Sequence, residues 1–120
     1  MFYIFLTTTL IYALGILWAS IQPETLPLIP DVIYTLGDAF RNFLHIPAYF
    51  GLAALLFTTM KHYKGRAGGL IPDHIARWSF WIPVCYGIIN EFVQSHVPGR
   101  TFSIGDMLRN ALGAFLAVWV

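Results

Sequence analysis

The chain has 120 residues, enough for one domain, and 58% of them are hydrophobic, 17% aromatic and 11% charged. Soluble domains carry about 25% charged residues, and a soluble protein of this length would not bury so much apolar surface. The formal net charge of +1 excludes the basic stripe of a nucleic-acid binder, and the single cysteine, Cys85, excludes an intrachain disulfide. The composition predicts an integral membrane protein.

An uncharged run from Phe2 to Ile21 opens the chain. At about 1.5 Å per residue, a helix over this run is about 30 Å long, which is the thickness of the hydrocarbon core of a bilayer. A signal peptide would start with basic residues and end at a small-residue cleavage site, whereas this run has no Lys or Arg and reads Trp-Ala-Ser at 18–20. The run is therefore predicted to be a retained span over 2–21.

The connection over 22–42 begins with three prolines, Pro23, Pro27 and Pro30. Proline removes a backbone donor and disfavours helix at the residue before it, so this half of the connection is predicted to be irregular. The second half, 31–40, has apolar residues at helical spacing. Two interpretations stay open for it: a short helix lying on the membrane surface, or a loop that dips into the headgroups.

Three further apolar runs complete the chain, and they are predicted to span the membrane over 43–60, 78–93 and 104–120. Pro83 interrupts the third span, where it either kinks the helix or occupies its first turns. The predicted fold class is all-α, a polytopic membrane protein with a bundle of four transmembrane helices in a single domain over 1–120.

Positive charge is concentrated between the second and third spans, in a Gly-rich loop over 61–77 that contains Lys61, Lys64, Arg66 and Arg77. Cytoplasmic loops carry the excess of Lys and Arg, so this loop is predicted to face the cytoplasm. The protein is then a multi-pass protein of the inner (cytoplasmic) membrane with both termini cytoplasmic. In that orientation, the polar ends of the second, third and fourth spans meet at the outer surface.

Four charged residues lie between Glu91 and Gly113, which is unusual in so apolar a chain. Helical spacing sorts the polar side chains of the three spans into pairs that share a face. Arg100, in the turn before the fourth span, carries a guanidinium that grips carboxylates or phosphates bidentately. The candidate binding residues are His45, Tyr49, Glu91, Gln94, Arg100, Asp106 and Asn110.

Three of these residues, His45, Glu91 and Asp106, are also candidates for catalysis as acids or bases. Equally, Glu91 and Arg100 fit an ion pair that closes the hairpin, and Arg109 either leans on Asp106 or reaches outward to headgroups. The imidazole and carboxylates suit a divalent metal, but no H-E-x-x-H or similar spacing is present, so neither a metal site nor a cofactor is predicted.

Two segments of the chain resemble the VanZ-like family of small bacterial membrane proteins. They are H-I-P-A-Y-F-G-L-A-A-L-L from His45 and E-F-V-Q-S-H-V-P-G-R-T-F-S-I-G-D-M-L-R-N-A-L-G from Glu91. The resemblance rests on a His and Tyr opening one helix, then Glu-x-x-Gln, Pro-x-Arg and Asp-x-x-x-Asn-x-x-Gly. The matching positions are His45, Tyr49, Glu91, Gln94, Pro98, Arg100, Asp106, Asn110 and Gly113.

The family often has Asp-Lys shortly before the His, where this chain has Arg41 and Asn42, so no role of that pair is carried over. The resemblance implies a multi-span protein of the cell envelope. The family's namesake lowers susceptibility to teicoplanin, a lipid-bearing glycopeptide antibiotic.

Three functions are compatible with the sequence, each with the lipid bilayer as a partner. The first is binding of a lipid-linked envelope component or lipoglycopeptide, which lowers antibiotic susceptibility. The second is an enzyme acting on an envelope lipid through His45, Glu91, Arg100 and Asp106. The third is an assembly role in which the polar residues only fix helix packing. The sequence does not fix the oligomeric state.

Overall fold

The structure is a computed structural model that describes residues 1–22, 42–65 and 73–120. The connection over 22–42 contains three prolines, and its second half was predicted to be a surface helix or a loop. Most of this connection lies outside the described residues. The described residues form four α-helices and no strand, which confirms the all-α class. The helices are α1 (Phe2–Ser20), α2 (His45–Gly65), α3 (Asp73–Gln94) and α4 (Ile104–Trp119).

Two of the helices extend further than the apolar runs that predicted them. α2 continues to Gly65 and α3 begins at Asp73, so the loop predicted over 61–77 is helical at both of its ends. Hydropathy falls where the polar residues begin, but Lys61, Lys64 and Arg77 are good helix formers and prolong the two helices. Pro83 lies in the interior of α3 rather than in its first turns.

One described helix, α1, is long and apolar enough to cross a membrane by length and composition. α4 has 16 residues, fewer than the about 20 that a perpendicular span needs. α2 and α3 are long enough, but polar residues at their ends lower their hydropathy. Residues 1–22, 42–65 and 73–120 therefore contain one candidate span by these criteria.

The helices run alternately up and down, which brings the polar side chains together at one end of the bundle. There the ends of α1 and α3 meet the starts of α2 and α4, and we call this the polar end. At the opposite end, the rings of Phe2 and Tyr63 lie 5.3 Å apart and those of Phe80 and Trp119 lie 5.1 Å apart.

Glycine allows α2 and α4 to pack with their backbones in contact. A Cβ atom added at Gly113 would collide with the carbonyl oxygen of Ile46 and lie 3.0 Å from the amide nitrogen of Phe50. Small residues at helix crossings permit this approach. Because Asn110 precedes Gly113 by about one turn, the crossing also brings Asn110 to the start of α2.

Polar contacts that involve side chains and backbone attach α1 to the other helices. The hydroxyls of Thr9 and Thr59 lie 3.0 Å apart, and the Tyr86 hydroxyl donates to the carbonyl oxygen of Ala13 at 2.5 Å. Outside these contacts, large apolar side chains are exposed on every helix, among them Leu14, Phe50, Phe92 and Leu108. Apolar exposure of this extent marks a surface that contacts lipid or protein.

Candidate functional site

A tight turn between α3 and α4 directs Arg100 back over the polar end. Gly99 has a φ of 83°, a left-handed conformation that glycine adopts without strain. The turn is closed by a hydrogen bond from the Arg100 amide to the Val97 carbonyl, 3.1 Å long. The Arg100 Nε then donates to the carbonyl oxygen of Gln22, just after α1, at 3.1 Å.

Ser103 joins the start of α4 to the end of α3. Its hydroxyl caps α4 by accepting a hydrogen bond from the Asp106 amide, 3.2 Å long. Its own amide donates to Glu91 Oε2, also at 3.2 Å. The Glu91 carboxylate, which has no exposed surface, is thereby satisfied by backbone from the next helix.

Gln94 lies between Glu91 and Arg100. In the amide orientation that satisfies both neighbours, its nitrogen donates to Glu91 Oε1 at 3.1 Å and its oxygen accepts from Arg100 Nη1. The sequence allowed a direct ion pair between Glu91 and Arg100. In the structure, the Gln94 side-chain amide instead forms a hydrogen bond with each of them, and we call this bridge the relay. The relay locks the turn against α3 and orients the guanidinium.

His45 is positioned by α4. Its Nδ1 lies 2.9 Å from Asn110 Oδ1, and since that oxygen only accepts, Nδ1 carries the proton. The other ring nitrogen, Nε2, faces Asp106 Oδ2 at 3.8 Å. Arg109 Nη1 binds the second oxygen of Asp106 at 2.6 Å, so Arg109 leans on Asp106, one of the two orientations predicted.

The result is a cluster of three ionisable groups from three helices. His45, Glu91 and Asp106 each offer one atom, and these atoms lie within 4.8 Å of one another. We call these residues the His-Glu-Asp cluster, and Arg100 and Arg109 the arginine rim. Two carboxylates, an imidazole and two guanidiniums in one place provide acid–base groups, cation ligands and anion donors.

Tyr49 lies deeper in the bundle than the cluster and is 1% exposed. Its ring and the Asn110 amide both lie against Gly87, where an added Cβ would be 3.1 Å and 3.0 Å from them. Its hydroxyl accepts a long hydrogen bond of 3.4 Å from Asn90 Nδ2. The Tyr49 ring and the Asn110 amide therefore both occupy the space that Gly87 leaves open.

Sequence reasoning missed Asn90 and the capping role of Ser103. Asn90 is 2% exposed and donates to Ser20 Oγ at 2.6 Å, while its own Oδ1 has no partner among the described residues. An amide inside an apolar helix beside Glu91 was the signal for Asn90. For Ser103, the signal was a serine followed three residues later by Asp106, at a helix start.

Three polar residues outside the candidate set, Ser95, His96 and His62, make local contacts. Ser95 Oγ donates to the Phe92 carbonyl at 2.7 Å, and the His96 ring bonds the same oxygen at 2.8 Å. The ring of His62 stacks on Phe5 at the opposite end, with centroids 4.7 Å apart.

The chain matches the model of one protein family, VanZ/LLP1, over residues 2–120. It therefore belongs to that family along its whole length, which confirms the resemblance found in the sequence. No curated protein and no solved structure matches the chain. Membership agrees with a membrane protein that has a role in the envelope or in antibiotic resistance.

Proposed function

We propose that this member of the VanZ/LLP1 family is a four-span protein of the cytoplasmic membrane with both termini in the cytoplasm. Its polar end faces the outer leaflet. There it binds the anionic head of a lipid-linked envelope component, or of a lipoglycopeptide antibiotic, and lowers susceptibility to that antibiotic. The observation that carries the proposal is the arginine rim.

Each arginine of the rim is held on one side by the bundle. Among the described residues, Arg100 uses its Nε and Nη1 for Gln22 and Gln94, and Arg109 uses Nη1 for Asp106. A guanidinium has five N–H donors, so the Nη2 group of each remains for a ligand. A rigid fork with unused donors binds phosphate or carboxylate oxygens bidentately.

Exposure supports binding over a purely structural role for these guanidiniums. The Arg109 side chain is 37% exposed and Arg100 is partly exposed, whereas Glu91, Gln94 and Asn110 are buried. The anchoring groups are thus inside and the free donors outside. This is the arrangement of a site that orients its cations for a ligand arriving from the surface.

The distribution of polar and apolar side chains supports the membrane placement. Exposed apolar side chains surround the helices, and Lys61 and Arg77 are exposed at the end opposite the arginine rim. The segment 61–77 carries four of the seven Lys and Arg residues of the chain, and such an excess favours the cytoplasmic side, so the rim is at the outer surface. Shorter helices such as α4 span where flanking side chains reach to the interface or the bilayer thins locally.

The test is antibiotic susceptibility of bacteria that express the protein. We expect the wild type to raise the minimum inhibitory concentration of teicoplanin and Arg100→Ala to remove most of that increase. Arg77→Ala, which removes the same charge at the other end, is the matched control and keeps the increase. Membrane levels of all three proteins are compared by immunoblot.

Arg100→Lys separates the fork from the charge, since lysine keeps the charge but presents a point donor. We expect it to restore only part of the increase. A full increase with Arg100→Ala at normal membrane levels would refute binding through Arg100.

The close approach of the three side chains in the His-Glu-Asp cluster favours a second candidate function, an enzyme that acts on an envelope lipid. Glu91 or His45 would serve as the acid or base, and Arg100 would stabilise the developing anion. The enzyme hypothesis predicts turnover of envelope lipids by purified wild-type protein and its loss in Glu91→Gln. If lipid extracts remain unchanged by wild type and variant alike, this candidate is eliminated and binding stands.

A further inference from the structure

The hydrogen bond from His45 to Asn110 determines what the other face of the imidazole presents. In the neutral form of the ring, the form that a metal ion binds, Nδ1 donates to Asn110 at 2.9 Å and Nε2 carries a lone pair. That lone pair faces Asp106 Oδ2 at 3.8 Å, which is too long for a hydrogen bond. Two acceptors therefore face each other, with the Glu91 carboxylate close by.

The carboxylates are oriented by donors in the same way as the imidazole. Asp106 Oδ1 is held by Arg109 at 2.6 Å, which leaves Oδ2 directed at the cluster. Glu91 accepts one hydrogen bond at each oxygen, from the Ser103 amide and from Gln94, and each oxygen keeps a second lone pair. Hydrogen bonds to the outer atoms of ligands are what orient metal-binding His and carboxylate groups in proteins.

We infer that the His-Glu-Asp cluster binds one divalent transition-metal cation, of the Zn²⁺ or Mn²⁺ type, with one ligand each from α2, α3 and α4. Imidazole nitrogen suits Zn²⁺ and its neighbours in the series, and carboxylate oxygen suits both Zn²⁺ and Mn²⁺. Three protein ligands leave further coordination positions open, as in catalytic rather than structural zinc sites.

The spacing of the ligand atoms is compatible with such an ion. Bonds of about 2.1 Å in tetrahedral geometry place ligand atoms about 3.4 Å apart. The three ligand atoms lie within 4.8 Å of one another, so they reach this spacing by moving about an ångström through side-chain rotation.

The burial of the three side chains also favours a bound cation. Glu91 has no exposed surface, and Asp106 and His45 have side chains only 13% and 20% exposed. Lone pairs that converge in a poorly hydrated site repel each other, and a cation between them removes the repulsion. The sequence predicted no metal because its ligands come from three helices, so no local spacing motif connects them.

This inference does not depend on the proposed function. A chain that holds the cation without binding a lipid head would still satisfy it. If both are correct, the open positions of the ion face the same surface as the arginine rim and add positive charge for an anionic head.

The experiment uses the full chain, purified in detergent and stripped of metal with a chelator. After equilibrium dialysis against ZnCl₂ or MnCl₂, bound metal is measured by mass spectrometry. We expect about one ion per chain for the wild type. Asp106→Asn, which keeps the size of the side chain, and His45→Ala should each weaken binding more than about tenfold. His96→Ala removes an exposed histidine at the same end and should bind as the wild type does.

Thermal unfolding in the same detergent guards against variants that fail to fold. The wild type and His96→Ala should melt at a higher temperature when the cation is added, whereas Asp106→Asn should fold but show no shift. Absence of stoichiometric binding of both ions to the folded wild type would overturn the inference. Equal binding of either ion by wild type and folded Asp106→Asn would also overturn it.

Discussion

The buried carboxylate of Glu91 depends on donors that come from its own helix and from the next one. Ser103 supplies a backbone amide, and Gln94 supplies a side-chain amide one turn along α3. Gln94 also accepts from Arg100, so a single side chain satisfies an anion on one side and a cation on the other. Its removal leaves Glu91 Oε1 and Arg100 Nη1 without their Gln94 partner, while the Ser103 amide and the Gln22 carbonyl keep their bonds.

We expect Gln94→Ala to lower the free energy of unfolding by about 2–3 kcal/mol, because hydrogen bonds to buried charged groups are worth this much. Ser95→Ala, at the next position, removes only a bond to the Phe92 carbonyl and should change it by less than about 1 kcal/mol. Thermal and denaturant unfolding in detergent measure the difference. Equal stabilities of the two variants would show that the relay through Gln94 is not formed.

Sequence spacing predicted which polar side chains face each other but not which of them pair. Glu91 and Gln94 share a face of one helix, and Asp106 and Asn110 share a face of another, which follows from helical periodicity alone. The insertion of Gln94 between Glu91 and Arg100 depends on where the turn directs the guanidinium. That direction is set by the left-handed Gly99, and no spacing rule contains it.

At the scale of elements, the start of α4 is specified by its cap. The Ser103 hydroxyl accepts from the Asp106 amide, and Asp106 in the first turn adds negative charge near the positive end of the helix dipole. The cap also fixes the Ser103 amide that reaches Glu91. The capping serine therefore supports both the helix and the site.

Ser103→Ala should lower the free energy of unfolding by about 1 kcal/mol through loss of the cap. Ser103→Thr keeps an oxygen at the same place and should recover most of the loss. Both variants retain the backbone amide of residue 103, so its hydrogen bond to Glu91 is the same in each. If Ser103→Ala unfolds at the wild-type temperature, the hydroxyl does not cap α4.

The crossing of α2 and α4 depends on the absence of a side chain at Gly113. An added methyl group would meet the Ile46 carbonyl and the Phe50 amide, which are backbone atoms that cannot move aside alone. Gly113→Ala should therefore destabilise the bundle by about 1–3 kcal/mol. Gly15→Ala on α1 is the control, since an added Cβ there has no neighbour within 4 Å. A stable Gly113→Ala protein would mean that the helices are further apart.

The sequence predicted the positions of the helices better than their bounds. The apolar runs located all four helices. α2 continues several residues past the predicted span and α3 begins several residues before it, because hydropathy reports where the apolar surface ends, whereas polar residues with good helix propensity prolong the helix. The bounds Gly65 and Asp73 therefore lie outside the apolar runs.

At the scale of the whole molecule, the alternation of the helices separates two chemically different ends. One end carries the His-Glu-Asp cluster and the arginine rim, and the other carries exposed Lys61 and Arg77. A ligand in the outer leaflet meets the cluster only if the basic end is cytoplasmic. Orientation in the membrane is thus a premise of the proposed function that can be tested alone.

Single cysteines report the orientation directly. Cys85 is exposed on α3, so the substitution Cys85→Ala is made first to remove the native thiol. In that background we introduce His96→Cys at the polar end or Lys61→Cys at the basic end, both at exposed positions. On intact cells whose outer surface is accessible, a membrane-impermeant maleimide should label position 96 and should label position 61 only after permeabilisation. The reverse pattern would place the polar end in the cytoplasm and exclude a ligand in the outer leaflet. The bundle and its cation site would be unaffected, because neither depends on which side of the membrane each end faces.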